Sequence, residues 1–394
     1  MTETRRLPLG EFIALVAMMF ATTAFSIDAM LAALPAIASD LTPDATNRAQ
    51  LVITSFVLGM GLGTFVTGPL ADRFGRKRVI LGGLTLYAAG AALASVAGSL
   101  ELMLAARVLQ GLGVAGPRIA TLALVRDLYS GRQMARVVSF AMLIFTLVPA
   151  VAPAIGSLII AGFGWRAIFA AFILFAVAGG LWIGLRQPET LPPERRKPLR
   201  AAPLMAALRE VLGHRVIVTA MSVQALFFGI LFGTLSSAQP IVDQTYGRGS
   251  AFPYWFAVVA LLAGSASLLN ASLVVRLGMR FLITVTLTAL AGFSAALSLF
   301  SLFAAVPFAL FIAFMTAVFF SAGLTLGNLN ALALEPVGHI AGTAASLTTA
   351  IATVLAVALA APIGLAFDGT ALPLTASVTV LCSLGVLLMR SIPR

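Results

Sequence analysis

Three charged side chains stand inside long apolar runs of this sequence, where an ionised group is costly. Asp28 lies in the first run, and Arg107 and Arg118 share a run further along the chain. A carboxylate removed from water holds its proton more readily, so Asp28 could alternate between a proton and a second ligand. We therefore expect proton exchange at Asp28, whereas a carboxylate that merely pairs with an arginine is the structural alternative.

The two arginines lie on one face of the helix that this apolar run predicts. Eleven residues separate Arg107 from Arg118, and at 100° per residue they return to within about 20°, about 16 Å apart along the axis. Such a face must look into the protein or into a wet cavity. One arginine could contact substrate or Asp28 while the other holds helices together, and Asp28, Arg107 and Arg118 form our predicted proton-coupling set.

The elements that position these groups are predicted to be membrane-spanning helices. The 394 residues are 60% hydrophobic and 10% charged, with a mean hydropathy of +1.04, which lies outside the range of soluble domains. Apolar stretches of about 20 residues, enough to cross a bilayer, recur along nearly the whole chain. The pattern predicts an all-α membrane protein with 12 transmembrane helices, surrounded by the lipid bilayer.

A charged loop and its repeat predict how those helices are organised. Residues 68–78 read GPLADRFGRKR between two apolar stretches, and part of that skeleton returns as RLGMR at residues 276–280. The repeat predicts two pseudo-symmetric six-helix bundles, 1–185 and 214–394. A proline-rich cytoplasmic linker, 186–213, would join them, and its end from Pro203 to Gly213 could form a helix on the membrane surface.

The basic residues predict the orientation of the chain. With a cytoplasmic N-terminus, 20 of the 25 Lys and Arg fall in inside segments and only three in outside loops. This is the positive-inside asymmetry of membrane proteins. It explains the net charge of +11 through topology rather than through nucleic-acid binding, and it places both termini in the cytoplasm.

Several kinds of site are not suggested by the sequence. Cys382 is the only cysteine, and the two histidines have no partner at ligand spacing, so we expect neither a metal nor another cofactor. No phosphate-binding GxxxxGK[ST] sequence is present, so ATP is not the expected energy source. We expect a transporter and not an enzyme.

Motifs along nearly the whole chain resemble the major facilitator superfamily, and within it the drug:proton antiporters of the bicyclomycin and chloramphenicol resistance type. Residues 68–78 match the superfamily's GxLaDRxGRKR loop, and Arg107 to Gly113 match its RxxQGxG sequence. Features of the narrower branch are Asp28 followed by Leu34 and Pro35, the segment 125–129, and the segment 189–195.

This resemblance implies a monomer in the bacterial cytoplasmic membrane, with a central cavity that opens alternately to each side and exchanges protons for a small-molecule drug. Asp72 and Arg76 would lock the cytoplasmic ends of the bundles, and Pro153 with Gly156 would allow a bend and close helix contact. The expected gate residues are Gly68, Asp72, Arg73, Gly75, Arg76, Arg126, Asp127, Pro153 and Gly156.

The expected substrate is a lipophilic drug, chloramphenicol-like, bicyclomycin-like or other, in a cavity with apolar walls. The predicted binding residues are Asp28, Phe25, Phe56, Arg118, Phe145, Gln224, Phe227 and Asn328. Two other functions stay open at this point: a sugar or metabolite exporter or facilitator of the same fold, and a membrane scaffold or sensor that does not transport.

Overall fold

The computed structural model describes residues 7–199 and 201–392, and in this part of the chain the regular elements are helical, with no strand. The α-helices are α1 Leu9–Leu31, α2 Leu34–Leu41, α3 Leu51–Phe74, α4 Arg76–Ser95, α5 Leu100–Leu128, α6 Gly131–Phe163, α7 Ala167–Arg186, α8 Ala201–Gly213, α9 Arg215–Pro240, α10 Phe252–Leu277, α11 Met279–Ser301, α12 Phe308–Leu334, α13 Ala341–Leu365 and α14 Leu372–Arg390. The predicted all-α class is confirmed.

Eleven stretches of the described residues are helical, long and apolar enough to cross a membrane. One of them, Phe308–Leu365, is 58 residues long and contains both α12 and α13, joined by the 3-10 turn Glu335–Ile340. The apolar runs predicted the helices well, although helix ends differ: α5 continues to Leu128, beyond its apolar run.

The chain forms two compact units. The first unit comprises residues up to Ala33 together with Ser55–Ala201, and the second comprises Leu34–Thr54 together with the chain from Ala202 onward. Residues 34–54 were predicted to belong to the first bundle, 1–185, whereas they pack with the second unit. Arg5, Arg6, Arg200 and Arg394 of the charge count, and both chain ends, lie outside the described residues.

Polar contacts hold residues 34–54 within the second unit. The side-chain amide of Asn47 donates to the carbonyl oxygens of Leu365 (3.2 Å) and Phe367 (2.6 Å) at the end of α13. Gln50 accepts a hydrogen bond from Ser237 of α9 at 3.3 Å. A Cβ atom on Gly364 would lie 2.6 Å from the Gln50 Oε1, so the close approach depends on this glycine.

Helix α1 ends at Leu31 and α2 begins at Leu34, with two residues between them. Pro35 explains the break, because its ring lacks an N–H and collides with the carbonyl four residues earlier, which is that of Leu31. Asp28 therefore lies in the last turn of α1, next to an interruption of the helical course. The apolar run predicted a span over residues 10–34, which ends just before Pro35 and three residues beyond the observed end of α1.

Glycines bring α4 and α5 into backbone contact. A Cβ on Gly113 would lie 2.3 Å from the Tyr87 nitrogen, and one on Gly90 would lie 2.6 Å from the Gln110 nitrogen. Neither position has room for a side chain, so the two helices pack through their backbones. This contact sets the position of Arg107 relative to α4.

The linker helix α8 packs within the second unit. Ala207 and Val211 are buried, and Glu210 pairs with His339 at 3.1 Å. His339 belongs to the turn between α12 and α13. The predicted helix is present, and its predicted position on the membrane surface stays a prediction.

Candidate functional site

Asp28 is the only buried acidic residue in the described part of the chain, with 6% of its surface exposed. Its carboxylate has no hydrogen-bond or ion-pair partner among residues 7–199 and 201–392. Helix α6 passes close to the following residue, since a Cβ on Gly156 would lie 2.6 Å from the Ala29 carbonyl oxygen. The predicted close contact at Gly156 is therefore against α1, beside Asp28.

Arg107 is fully buried and its guanidinium joins α5 to α1. Its Nη1 donates to Gln110 Oε1 at 2.6 Å, and its Nη2 donates to the Ser26 carbonyl oxygen at 3.1 Å. The guanidinium carbon lies 4.4 Å from the centroid of the Phe56 ring, a cation–π contact. The arginine and glutamine of the RxxQGxG sequence thus form one hydrogen-bonded pair.

Sequence reasoning missed two members of this network. The Ser26 Oγ lies 2.5 Å from the Tyr87 Oη, which links α1 to α4, and both residues are buried. The Gln110 Nε2 is also buried and has no hydrogen-bond partner in the described structure. The sequence could have indicated a polar contact at Tyr87, because a buried tyrosine hydroxyl normally has a hydrogen-bond partner. Ser26 gave no comparable signal.

Arg118 has very different surroundings. It is half-buried, and its Nη1 lies 3.3 Å from the thioether sulfur of Met60 on α3. None of the ion pairs of the described residues includes it. The structure therefore places Arg107 in a dense polar network and leaves Arg118 beside a weak, neutral acceptor.

The predicted aromatic residues of the first unit differ in burial. Phe25 is half-buried and contacts Phe172 and Phe175 of α7 at centroid distances of 5.5 and 5.7 Å. Phe56 is fully buried beneath Arg107, and Phe145 of α6 is half-buried. Phe25 and Phe56 are thus both part of packed surroundings in this unit.

The predicted residues of the second unit are all buried. Phe227 is fully buried, and Gln224 is 4% exposed with its Oε1 unpartnered in the described structure. The amide nitrogen of Asn328 donates to Asn270 at 2.7 Å, which ties α12 to α10. Asn328 thus makes the helix-to-helix bond that polar amides often form in membranes.

The charged loop after α3 forms a compact polar cluster at the ends of α3, α4 and α5. Arg76 is buried, and its guanidinium contacts Asp72 at 2.6 Å and Asp127 at 3.1 Å. Thr190 donates to the same Asp127 oxygen at 2.9 Å. All these residues belong to the first unit, so the pairs join its helices to one another.

Glu189 holds the start of α4. Its Oε1 accepts from the Arg76 backbone N–H at 2.9 Å, and its Oε2 accepts from that of Lys77 at 3.2 Å. A carboxylate satisfies the unpaired donors at a helix N-terminus and complements its partial positive charge. Gly75 makes this possible: its φ is +102°, and a Cβ would lie 2.3 Å from Glu189 Oε2.

The other predicted gate residues stand apart from this cluster. Arg73 and Arg126 are exposed, and a Cβ on Gly68 would meet nothing within 4 Å. Pro153 is buried within α6, which continues through it without ending.

The major facilitator superfamily model matches residues 14–361, most of this chain. The chain belongs to the major facilitator superfamily. Members of this family are transporters, so the prediction of a transporter rather than an enzyme is confirmed.

Two relatives locate the chain within the family. The bicyclomycin resistance protein homolog of Haemophilus influenzae is 32% identical over 332 residues, covering 82% of this chain and 81% of that protein. The chloramphenicol resistance protein of Pseudomonas aeruginosa is 37% identical over 143 residues, 36% of this chain and 34% of that one. The predicted resemblance to the drug-resistance branch is confirmed.

The xylose transporter XylE of E. coli, in a partially occluded inward-open conformation, matches with a TM-score of 0.73 over 98% of this chain and 100% of that one. At 13% sequence identity this likeness shows the fold.

Proposed function

We propose that this protein is a proton-coupled antiporter that exports lipophilic drugs, with Asp28 as the proton carrier. The observation that carries the proposal is the state of Asp28: a buried carboxylate without a partner in the described structure. Burial disfavours an ionised carboxylate, and so does the partial negative charge at the C-terminal end of α1. The names of two relatives, which refer to bicyclomycin and chloramphenicol resistance, support a drug as the substrate.

The proposed cycle exchanges one ligand for the other at the same carboxylate. Asp28 releases its proton toward the cytoplasm, and the drug then binds. The loaded carrier opens outward, a proton from outside returns to Asp28, and the drug leaves. The Arg107–Gln110–Ser26–Tyr87 network fixes α1 against α4 and α5, so that the carboxylate keeps its position while the cavity changes sides.

The cytoplasmic cluster is the proposed gate. Arg76 with Asp72 and Asp127 has geometry that supports a switchable contact, because ion pairs at helix ends can exist in one state and break in another. We further propose twelve spans, counting α12 and α13 separately, in two six-helix bundles. Both termini would be cytoplasmic, and the protein would act as a monomer in the bacterial inner membrane.

The experiment uses purified protein in liposomes that contain a pH-sensitive dye. Chloramphenicol and other candidate drugs are added to wild type and to Asp28→Asn, and proton movement is recorded. We expect drug-dependent proton flux in wild type and none in the variant, because an amide cannot carry the proton. A parallel measurement of drug binding shows whether the variant is folded.

Three other results of this experiment would each contradict the proposal and favour a different conclusion. Solute exchange without proton flux would favour a sugar or metabolite facilitator. Full proton-driven pumping by Asp28→Asn would remove Asp28 from the mechanism. A protein that binds and moves no solute, and tolerates Asp28→Asn without effect, would be a scaffold or sensor.

A further inference from the structure

Arg118 lies deep in a membrane-spanning helix and has no oxygen acceptor among the described residues. It is residue 19 of the 29 in α5, and its one described hydrogen bond goes to the Met60 sulfur at 3.3 Å. A thioether is a weak acceptor, whereas a guanidinium has five donors that match paired oxygens. Arg118 is also half-buried rather than enclosed, so a ligand can approach it.

The charges in the interior of the first unit do not cancel. Arg107 and Arg118 contribute two positive charges and Asp28 one negative charge. The sum is 2 − 1 = +1 when Asp28 is ionised and +2 when it is protonated. A cation entering this region would add to an existing excess of positive charge, and the repulsion between like charges is stronger away from water, where the dielectric constant is low.

A second donor lies one turn further along α5. The Thr121 hydroxyl is buried and has no hydrogen-bond partner in the described structure. Residues three apart on a helix are surface neighbours, with Cβ atoms about 5–6 Å apart. Two unsatisfied donors at this spacing suit a ligand group with more than one acceptor atom.

We infer that Arg118 binds a group of paired oxygen acceptors on the transported compound, such as a nitro, sulfonyl or carboxylate group. The substrates are then neutral or anionic and not lipophilic cations. This inference rests on the proposed function and names its substrate class. Arg107 cannot serve in the same way, because its guanidinium is enclosed by Gln110, Ser26 and Phe56.

The test measures binding to the purified protein in detergent by calorimetry. The ligands are chloramphenicol, its analogue with the nitro group reduced to an amine, nalidixic acid, nalidixic acid ethyl ester and ethidium. The proteins are wild type, Arg118→Gln, Arg118→Lys and a matched control, Arg132→Gln, whose arginine is exposed at the start of α6.

We expect wild type to bind chloramphenicol more tightly than its amine analogue and nalidixic acid more tightly than its ester, by about tenfold or more, the worth of a charge-assisted hydrogen bond. Arg118→Gln should bring both ratios close to one, Arg118→Lys should give intermediate ratios, and Arg132→Gln should match wild type. Ethidium should not bind wild type measurably.

Unchanged ratios in Arg118→Gln would overturn the inference, as would tight binding of ethidium to wild type. Both results leave drug export by Asp28 standing. If none of the five compounds binds or drives proton flux, the proposed function fails and the substrate class fails with it.

Discussion

Substitution of Gly113 by alanine should push α4 and α5 apart and disable the buried polar network. The new Cβ would lie 2.3 Å from the Tyr87 backbone nitrogen, whereas ordinary contact begins at 3.4 Å, so the helices must separate by about 3.4 − 2.3 = 1.1 Å. A backbone atom cannot rotate away as a side chain can. Overpacking of this kind costs about 1–3 kcal/mol.

The matched control is Gly82→Ala on α4, where an added Cβ meets nothing within 4 Å. Both changes improve helix propensity by about the same amount, up to ~1 kcal/mol, so their difference isolates the clash. In thermal unfolding followed by tryptophan fluorescence, Gly113→Ala should melt about 2–12 °C below Gly82→Ala, from ~2–4 °C per kcal/mol in a unit of this size.

Separation of the helices should also weaken the Ser26–Tyr87 bond, so Gly113→Ala should lose drug-driven proton flux while Gly82→Ala keeps it. Equal melting temperatures for the two variants would refute the packing argument. Equal stability with lost flux only in Gly113→Ala would refute the link between destabilisation and activity.

Three further predictions concern polar contacts away from the contact between α4 and α5. Asn47→Ala removes two hydrogen bonds to carbonyls at the end of α13 and should raise hydrogen–deuterium exchange in residues 34–54 severalfold, whereas unchanged exchange would show that apolar packing alone holds this segment. Asp127→Asn leaves the buried Arg76 with a weaker acceptor, and should lower stability by about 1–2 kcal/mol in chemical denaturation, less at high salt; a salt-independent loss would argue against the ion pair. Burial raises the pKa of Tyr246 to about 12, so its phenol stays protonated and donates to the Val306 carbonyl; Tyr246→Phe should cost about 1 kcal/mol below pH 10, and the difference from wild type should shrink from pH 10 to pH 12, because the unfolded chain ionises first.

Much of this architecture could be predicted from the sequence, because each helix that crosses a membrane needs a long run of apolar residues. Apolar runs of about 20 residues located the long helices, and the costliest residues in them, Asp28, Arg107 and Arg118, were visible as exceptions. The charged loop at residues 68–78 marked a helix end correctly, with α3 ending at Phe74 and α4 beginning at Arg76.

The features that sequence reasoning missed depend on contacts between distant residues. Glu189 meets the start of α4 from 113 positions away, and Asn47 meets the end of α13 from more than 300. Neither partner is marked by any local pattern. The break after Leu31 is different, because Pro35 is a local signal for it, and the span predicted from the apolar run ends at residue 34, just before that proline.

The central claim, that the Asp28 carboxylate exchanges a proton for drug, is tested most directly by proton release on drug binding. Purified protein in weakly buffered detergent solution is mixed with drug, and a pH indicator records the protons released by wild type, Asp28→Asn and the control Glu194→Gln, an exposed linker residue. The account predicts release from wild type and the control and none from Asp28→Asn. Equal release from Asp28→Asn, or drug binding to wild type with no release at any pH, would contradict it.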